Sequence, residues 1–228
     1  MKLVFDIETV GCEFETLSES QQEFLLRVSE KEPNIEQREK LKDDAIRYLS
    51  LYPLTAKVVA IGMLNTETEH SMVLFEGNDT KEWQSEETGV KYSSYSEAEM
   101  LTLFWEYAKK ADSVVSFNGR NFDIPFLMIR SAILKIKPSR NFIKKRYDNK
   151  SHIDLLEVLT NYGTTKKFNL DFYCKSFGIE SPKSHGVSGM DVKQLYAAGK
   201  IEEIATYCAH DVEATFQLYK IWNEFLNI

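Results

Sequence analysis

The first ten residues, MKLVFDIETV, place a large apolar side chain at every second position, with Asp6 and Glu8 between them. A period of two predicts a β-strand, in which alternate side chains share one face. Asp6 and Glu8 would then project together, with backbone positions about 6.6 Å apart at a rise of about 3.3 Å per residue. Like charges held this close repel each other unless a cation lies between them. The strand therefore predicts half of a metal site, near the carboxyl end of the strand.

Length and composition predict one domain over residues 1–228. The chain is 43% hydrophobic, which is enough for a substantial core, and no linker rich in Pro, Gly or Ser divides it. The net charge of -7 argues against a protein that holds nucleic acid by bulk charge. A local basic surface, or acids neutralised by bound cations, would still be compatible with it.

Cysteine usage and hydropathy predict the compartment. The three cysteines are widely spaced and form no CxxC pair, so neither structural zinc nor a disulfide framework is expected. No signal-type apolar segment and no apolar run of about 18 residues occurs. We therefore expect a cytoplasmic protein without a membrane partner.

Residue periodicity predicts the elements of the first half. Residues 17–51 are helical and highly charged, and we interpret them as an insertion after the first strand. Residues 57–65 and 70–77 are rich in β-branched and apolar residues on either side of a polar turn, which predicts a hairpin. Residues 78–94 are polar and are predicted as a loop. Ser96 and Glu99 then form a capping box before a helix.

The second half predicts an α/β fold. A short buried strand at 113–117 leads through an Asn-Gly turn into a helix, and a further strand is expected to end near Asp154. Helices follow to the end, with stops at Gly178 and Gly199. This order predicts a three-layer domain in which an antiparallel hairpin joins a partly parallel sheet.

Two further acids lie at a predicted strand-to-helix turn and inside the last predicted helix. Asp123 lies in FNGRNFDIPFL, where the chain leaves a strand for a helix. Asp211 lies inside the last helix, and Tyr207 shares its face because the two are four residues apart. An aspartate inside such a helix needs a cationic partner.

Three motifs occur in order along the chain, and they are Asp6-Ile7-Glu8, Asn118 through Phe122-Asp123, and Tyr207 through Asp211. This set resembles the DEDDy-type 3′–5′ exonucleases of the ribonuclease H-like superfamily. Residues after Pro182 are similar to stand-alone bacterial exonucleases related to the proofreading domain of family-B DNA polymerases. A sister branch carries His where this chain has Thr206, so the Tyr-bearing branch is the better match.

The resemblance implies a ribonuclease H-like fold and a two-metal hydrolysis of phosphodiesters with Mg²⁺ or Mn²⁺. It implies that Asp6 bridges both cations, that Glu8 and Asp211 hold the cation carrying the attacking water, and that Asp123 supports the second. Tyr207 would orient that water. Further inferences from the same resemblance place Thr9, Asn118 and Phe122 at the terminal nucleotide.

The expected partner is a single-stranded 3′ end of nucleic acid, DNA ahead of RNA. An exoribonuclease and a catalytically silent binding module of the same fold remain alternatives. The basic segment 134–150 is interpreted as a solvated loop or strand edge, with a grip on the substrate backbone as the alternative. For the 17–51 insertion, a clamp, a lid and a dimer contact all remain open.

Overall fold

The computed structural model describes residues 1–144, 149–189 and 191–228. Its strands are β1 (Lys2–Gly11), β2 (Ala56–Asn65), β3 (Ser71–Glu76), β4 (Glu82–Gln84), β5 (Lys91–Tyr95), β6 (Ser113–Ser116) and β7 (His152–Asp154). Its helices are α1 (Glu19–Leu26), α2 (Ile35–Arg47), α3 (Glu97–Lys110), α4 (Asp123–Ile133), α5 (Leu155–Leu159), α6 (Leu170–Phe177), α7 (Val192–Ala197) and α8 (Ile201–Phe225).

The strands form one mixed seven-stranded sheet in the order β4-β5-β3-β2-β1-β6-β7. β2 pairs antiparallel with β1 and with β3, which confirms the predicted hairpin. β6 runs parallel to β1 and to β7. β1 therefore lies inside the sheet, between an antiparallel and a parallel neighbour.

Helices cover both faces of this sheet, as the predicted three-layer architecture requires. On one face, Phe5 of β1 packs in a core with Phe104 of α3 and Leu127 of α4. On the other face, Val4 packs in a core with Val212 of α8. Because side chains alternate along β1, Asp6 and Glu8 lie on the α8 side with Val4.

The predicted loop at 78–94 is wrong, because this segment supplies β4 and β5. β5 pairs parallel with β3, and β4 pairs antiparallel with β5. The rings of Trp83 and Tyr92 stack across that pair with centroids 4.7 Å apart. The sequence KYSSY lacks apolar alternation, so tertiary pairing rather than local pattern makes it a strand.

The insertion 17–51 is helical as predicted, and it packs only lightly on the domain. Neither α1 nor α2 buries a side chain, whereas Leu49 and the hydroxyl of Thr55 anchor the end of the insertion. Large exposed apolar side chains concentrate in and just after it, at Phe24, Val28, Ile35, Tyr48, Leu51, Tyr52 and Leu54.

Within the described residues, no helix is long and apolar enough to cross a membrane. In the basic segment 134–150, the guanidinium of Arg140 donates to the carbonyl oxygens of Ala111 and Asp112, which is a structural use of that charge. The positions 145–148 of this segment lie outside the described residues.

Candidate active site

Asp6 and Glu8 lie in the middle of β1, and the expectation that they end the strand is wrong. β1 continues to Gly11, but β6 pairs with it only over Lys2–Val4. From Phe5 onward, β1 therefore has no β6 neighbour. Asp6 and Glu8 lie beside this gap in the sheet, as residues at the end of a strand would. The register with β2 also shifts between Glu8 and Thr9, a β-bulge of the kind that re-aims side chains next to functional sites.

Helix α8 approaches β1 closely because Gly62 of β2, the partner of Asp6, has no side chain. A Cβ atom at Gly62 would lie 2.6 Å from Cγ2 of Val212 and 3.0 Å from Sγ of Cys208. The close packing of α8 on Gly62 brings Tyr207 and Asp211 of α8 near the acids of β1. The Tyr207 hydroxyl donates a hydrogen bond to the Asp211 carboxylate, as expected for residues one helical turn apart.

Asp123 is the first residue of α4 and is 3% exposed. It follows a tight turn in which Asn118 has a positive φ of 64°. A Cβ atom at Gly119 would lie 2.1 Å from the Ser116 hydroxyl, so this turn requires glycine. The backbone N–H groups of Ile7 and of Asp123 itself face the Asp123 carboxylate, which ties α4 to β1.

Asp154, at the end of β7, stabilises the turn that begins at Asn118 through hydrogen bonds to its backbone. It is fully buried, and its two carboxylate oxygens accept the backbone N–H groups of Asn118 and Arg120, each at 2.9 Å. It also caps α5 by accepting the N–H of Leu156. The predicted strand end near Asp154 is confirmed, and the residue also positions the turn that carries Asp123.

Asp6, Glu8, Asp123 and Asp211 form one electrostatic unit, which we call the carboxylate cluster. Burial raises the pKa of Asp6 well above its ordinary value, and the charges of the other three acids raise it further. Burial likewise raises the pKa of Glu8, and it raises those of Asp123 and Asp211 to about 7 each. The cluster repels its own negative charge and stabilises bound protons or cations.

Burial and the neighbouring acids also raise the pKa of Tyr207 far above its ordinary value. The phenol therefore stays protonated at neutral pH, where it can donate and accept hydrogen bonds but cannot act as a general base.

The cluster contains a buried oxygen that suits a metal ligand. Oδ1 of Asp123 has no hydrogen-bond partner among the described residues, although such atoms are normally paired. One carboxylate oxygen each of Asp6 and Glu8 and the Cys208 sulfur lie within 4.8 Å of one another. Because the Cys208 thiol is buried and donates to the Asp6 carbonyl oxygen at 3.7 Å, we assign it to packing. The remaining donors are carboxylate oxygens, which Mg²⁺ and Mn²⁺ prefer.

A cleft of about 460 Å³ opens beside the cluster. Asp6, Tyr207 and Asp211 line it, and so do Lys167 and Lys183, which bring positive charge to it. The Lys183 charge lowers the pKa of Asp211 against the effect of burial. An anionic ligand in this cleft would therefore meet both ammonium groups and the carboxylate cluster.

The three residues expected at the terminal nucleotide differ in their surroundings. Asn118 lines the cleft. The Thr9 hydroxyl donates to the carbonyl oxygen of Ser50 at 2.7 Å, which connects the insertion to the bulge after Glu8. Phe122 precedes Asp123, and its partly buried ring packs 5.5 Å from that of Phe126.

Comparison with known proteins places this arrangement in a family. Residues 50–225 match the family described as a predicted 3′–5′ exonuclease related to the exonuclease domain of PolB. The chain belongs to this family. The matched region contains Asp123, Tyr207 and Asp211, whereas Asp6 and Glu8 precede it and are brought beside these residues by β1.

Curated relatives of this PolB-exonuclease-related chain are archaeal polymerases. It is 24% identical over 182 residues to DNA polymerase 1 of Saccharolobus solfataricus, which covers 73% of this chain and 20% of the polymerase. It is 26% identical over 162 residues to DNA polymerase 1 of Pyrococcus abyssi, which covers 64% of this chain and 21% of that protein. The chain thus spans about a fifth of these relatives.

The structure of the family B DNA polymerase from Pyrobaculum calidifontis superposes on 97% of this chain and 24% of that chain, with a TM-score of 0.62 and 17% identity. This match confirms the predicted fold class, an α/β domain of the ribonuclease H-like type with a mixed central sheet. The helical insertion after β1 is part of this chain's version of the fold.

Sequence reasoning missed two contributors to the site. Gly62 gave a signal, since a glycine inside a predicted strand marks a close backbone approach. Lys167 lies in a polar loop and gave none, because only the tertiary fold brings that loop to the cleft.

Proposed function

We propose that this chain is a metal-dependent 3′–5′ exonuclease of the DEDDy type, with the exonuclease domain extending over residues 1–228. It would release nucleoside 5′-monophosphates from single-stranded 3′ ends, DNA ahead of RNA. The observation that carries this proposal is the convergence of the four acids and Tyr207 beside a cleft that Asp6, Tyr207 and Asp211 line. DNA is preferred because the curated relatives are DNA polymerases.

The cluster suits two divalent cations, Mg²⁺ or Mn²⁺, held by Asp6, Glu8, Asp123 and Asp211. A bound cation would neutralise the repulsion among the four carboxylates, and it would also give a partner to Oδ1 of Asp123, which has none among the described residues. When bound, such a pair supplies an activated water and stabilises the charge that develops on the phosphoryl and leaving oxygens.

The protein's own groups would place the substrate and the water. The Tyr207 hydroxyl, protonated at neutral pH and hydrogen-bonded to Asp211, would orient the attacking water. Lys167 and Lys183 would neutralise phosphate charge in the cleft. We keep Asn118 and Phe122 as contacts of the terminal nucleotide. Thr9 would use the lone pairs of its hydroxyl, because its proton is donated to Ser50.

We also propose a cytoplasmic location for this chain. It is supported by the three cysteines, all within the described residues, which form no disulfide.

A denaturing gel of 5′-labelled single strands tests the proposal. DNA and RNA of one sequence, each with a free or a phosphorylated 3′ end, would be incubated with Mg²⁺ or Mn²⁺. Wild type would be compared with Asp6→Asn and with Glu224→Gln, whose side chain is exposed near the end of α8. We expect a ladder that shortens one nucleotide at a time from free ends, faster on DNA, lost in Asp6→Asn and unchanged in Glu224→Gln.

Other outcomes would select an alternative. Faster RNA shortening would make the chain an exoribonuclease. Equal cleavage of blocked and free ends would contradict exonuclease action. Intact strands in every lane would favour a silent nucleic-acid-binding module.

A further inference from the structure

Two phenylalanines form a stacked pair, one member of which lines the cleft. The rings of Phe168 and Phe172 lie with centroids 4.2 Å apart and planes inclined by 14°. Phe168 lines the cleft, and Phe172, in the first turn of α6, is 50% exposed. Neither ring belongs to the cores on either face of the sheet. Core packing therefore does not explain why the rings are flat against each other here.

Aromatic contacts fix this pair relative to the carboxylate cluster. Phe168 also meets Tyr173 edge-on at 6.3 Å, and Tyr173 meets Phe117 edge-on at 5.8 Å. Phe117 directly follows β6 and precedes Asn118, the start of the turn that carries Asp123. The pair is thus held at a set position beside the cluster.

The charge around the pair is positive. The Lys166 ammonium lies 5.2 Å from the centroid of the Phe168 ring, and Lys167 lines the cleft. Neither lysine forms an ion pair with any residue that the structure describes. Between Lys166 and Phe172 the chain has one acid, Asp171. Its carboxylate forms an ion pair with Lys175 at 3.0 Å and accepts a hydrogen bond from the Ser181 hydroxyl.

We propose that Phe168 and Phe172 form a stacking platform for the bases of a single-stranded nucleic acid, upstream of the bond that the carboxylate cluster cleaves. The inference rests on the proposed exonuclease function and adds a substrate-binding surface to it. Flat rings accept any base, and the adjacent ammonium groups, which form no ion pair with a described residue, suit the phosphates of the same strand. The platform would favour frayed or single-stranded ends, because paired bases cannot leave their stack to cover it.

Equilibrium binding tests the platform apart from catalysis. Fluorescence anisotropy would follow a 5′-labelled single-stranded DNA oligonucleotide in EDTA, where no cleavage occurs. We expect Phe168→Ala and Phe172→Ala each to weaken binding by about 5- to 100-fold, the usual range for losing one stacked base. Phe172→Tyr should bind like wild type, whereas Phe172→Leu, which is apolar but not flat, should bind like Phe172→Ala.

Phe225→Ala is the matched control, because Phe225 is 65% exposed and lies 14 residues after Asp211, about 21 Å along α8. It should bind like wild type. Binding within twofold of wild type in both platform variants would overturn the proposal, and would then favour a contact with another protein. Absence of binding by wild type would overturn it as well.

Substrate length supplies a readout that a purely structural role would not change. With Mn²⁺ and single-stranded oligonucleotides of increasing length, Phe172→Ala should raise KM only for those long enough to cover Phe172, and should leave kcat unchanged. An equal rise in KM at every length would contradict the platform. If wild type binds DNA through these rings but cleaves nothing, the exonuclease proposal fails and the platform stands. If wild type cleaves normally and the variants bind as it does, the platform fails and the exonuclease proposal stands.

Discussion

Replacing Asp123 by asparagine removes one negative charge from the carboxylate cluster and keeps the size of the side chain. In the metal-free protein, burial and the neighbouring acids raise the pKa of Asp123 from 3.8 to about 7. This rise corresponds to about 4 kcal/mol, at about 1.4 kcal/mol for each pH unit between the two values. Asp6 competes with Asp123 for the same proton. When the proton resides on Asp6, Asp123→Asn raises the free energy of unfolding by a smaller amount.

The sign follows from proton binding. Because the pKa is higher in the folded chain, the folded state keeps a proton that the unfolded state releases between about pH 4 and pH 7. The free energy of unfolding therefore falls as the pH rises through this window. Above pH 7 the folded state has lost the whole of the about 4 kcal/mol that corresponds to the pKa difference. Asp123→Asn should prevent this loss, so the metal-free variant should exceed wild type by up to about 4 kcal/mol at pH 8 and by little at pH 4.5.

Urea unfolding, followed by tryptophan fluorescence after EDTA treatment, measures both free energies across this pH range. Asp43→Asn, which removes an exposed carboxylate of α2, should follow the wild-type curve. Saturating Mn²⁺ should reverse the order at pH 8, because wild type would gain cation binding that the variant lacks. The reasoning is refuted if Asp123→Asn is destabilised by the same amount at pH 8 and pH 4.5 without metal.

Three further predictions concern residues that shape the site. Gly62→Ala should lower the free energy of unfolding by about 1–3 kcal/mol, because its Cβ would press on Val212; urea unfolding that matches wild type would contradict this contact. Asp154→Asn should cost about 1–3 kcal/mol and slow hydrolysis, because one of the two N–H donors of the Asn118 turn loses its acceptor; unchanged kcat would show that the turn does not depend on it. Burial lowers the pKa of His152 to about 3, so the unfolded chain takes a proton first and stability is lost as the pH falls from 6.5 towards 3. His152→Gln, which keeps a hydrogen-bonding group toward Ser116, should flatten this part of the stability curve in thermal unfolding, and an equal slope in both proteins would refute the assignment.

The elements that form around strong local patterns could be predicted from the sequence. β1, the β2–β3 hairpin, the capping box of α3 and the left-handed stop at Gly178 all follow from residue spacing and turn chemistry. The resemblance carried by the three motifs also predicted that the acids of α8 and α4 lie near those of β1, and the structure brings these four acids together.

Pairing between distant segments could not be predicted in the same way. β5 has the polar sequence KYSSY, and only its parallel pairing with β3 makes it a strand. The position of Asp6 in β1 was misjudged because the end of β6, rather than of β1 itself, opens the site. Lys167 and the rings of Phe168 and Phe172 come from a loop and the start of a helix, whose location depends on how the whole chain folds.

Counting bound Mn²⁺ tests the central claim, that the four acids form one binuclear cation site, most directly. Isothermal titration of the metal-free protein at pH 8 would compare wild type with Asp6→Asn, and with Glu224→Gln as the control. We expect two ions in wild type and in the control, and a loss of affinity for both in Asp6→Asn, because the charges of all three other acids act on Asp6. Wild type that binds no Mn²⁺, or binding that Asp6→Asn leaves unchanged, would contradict the claim.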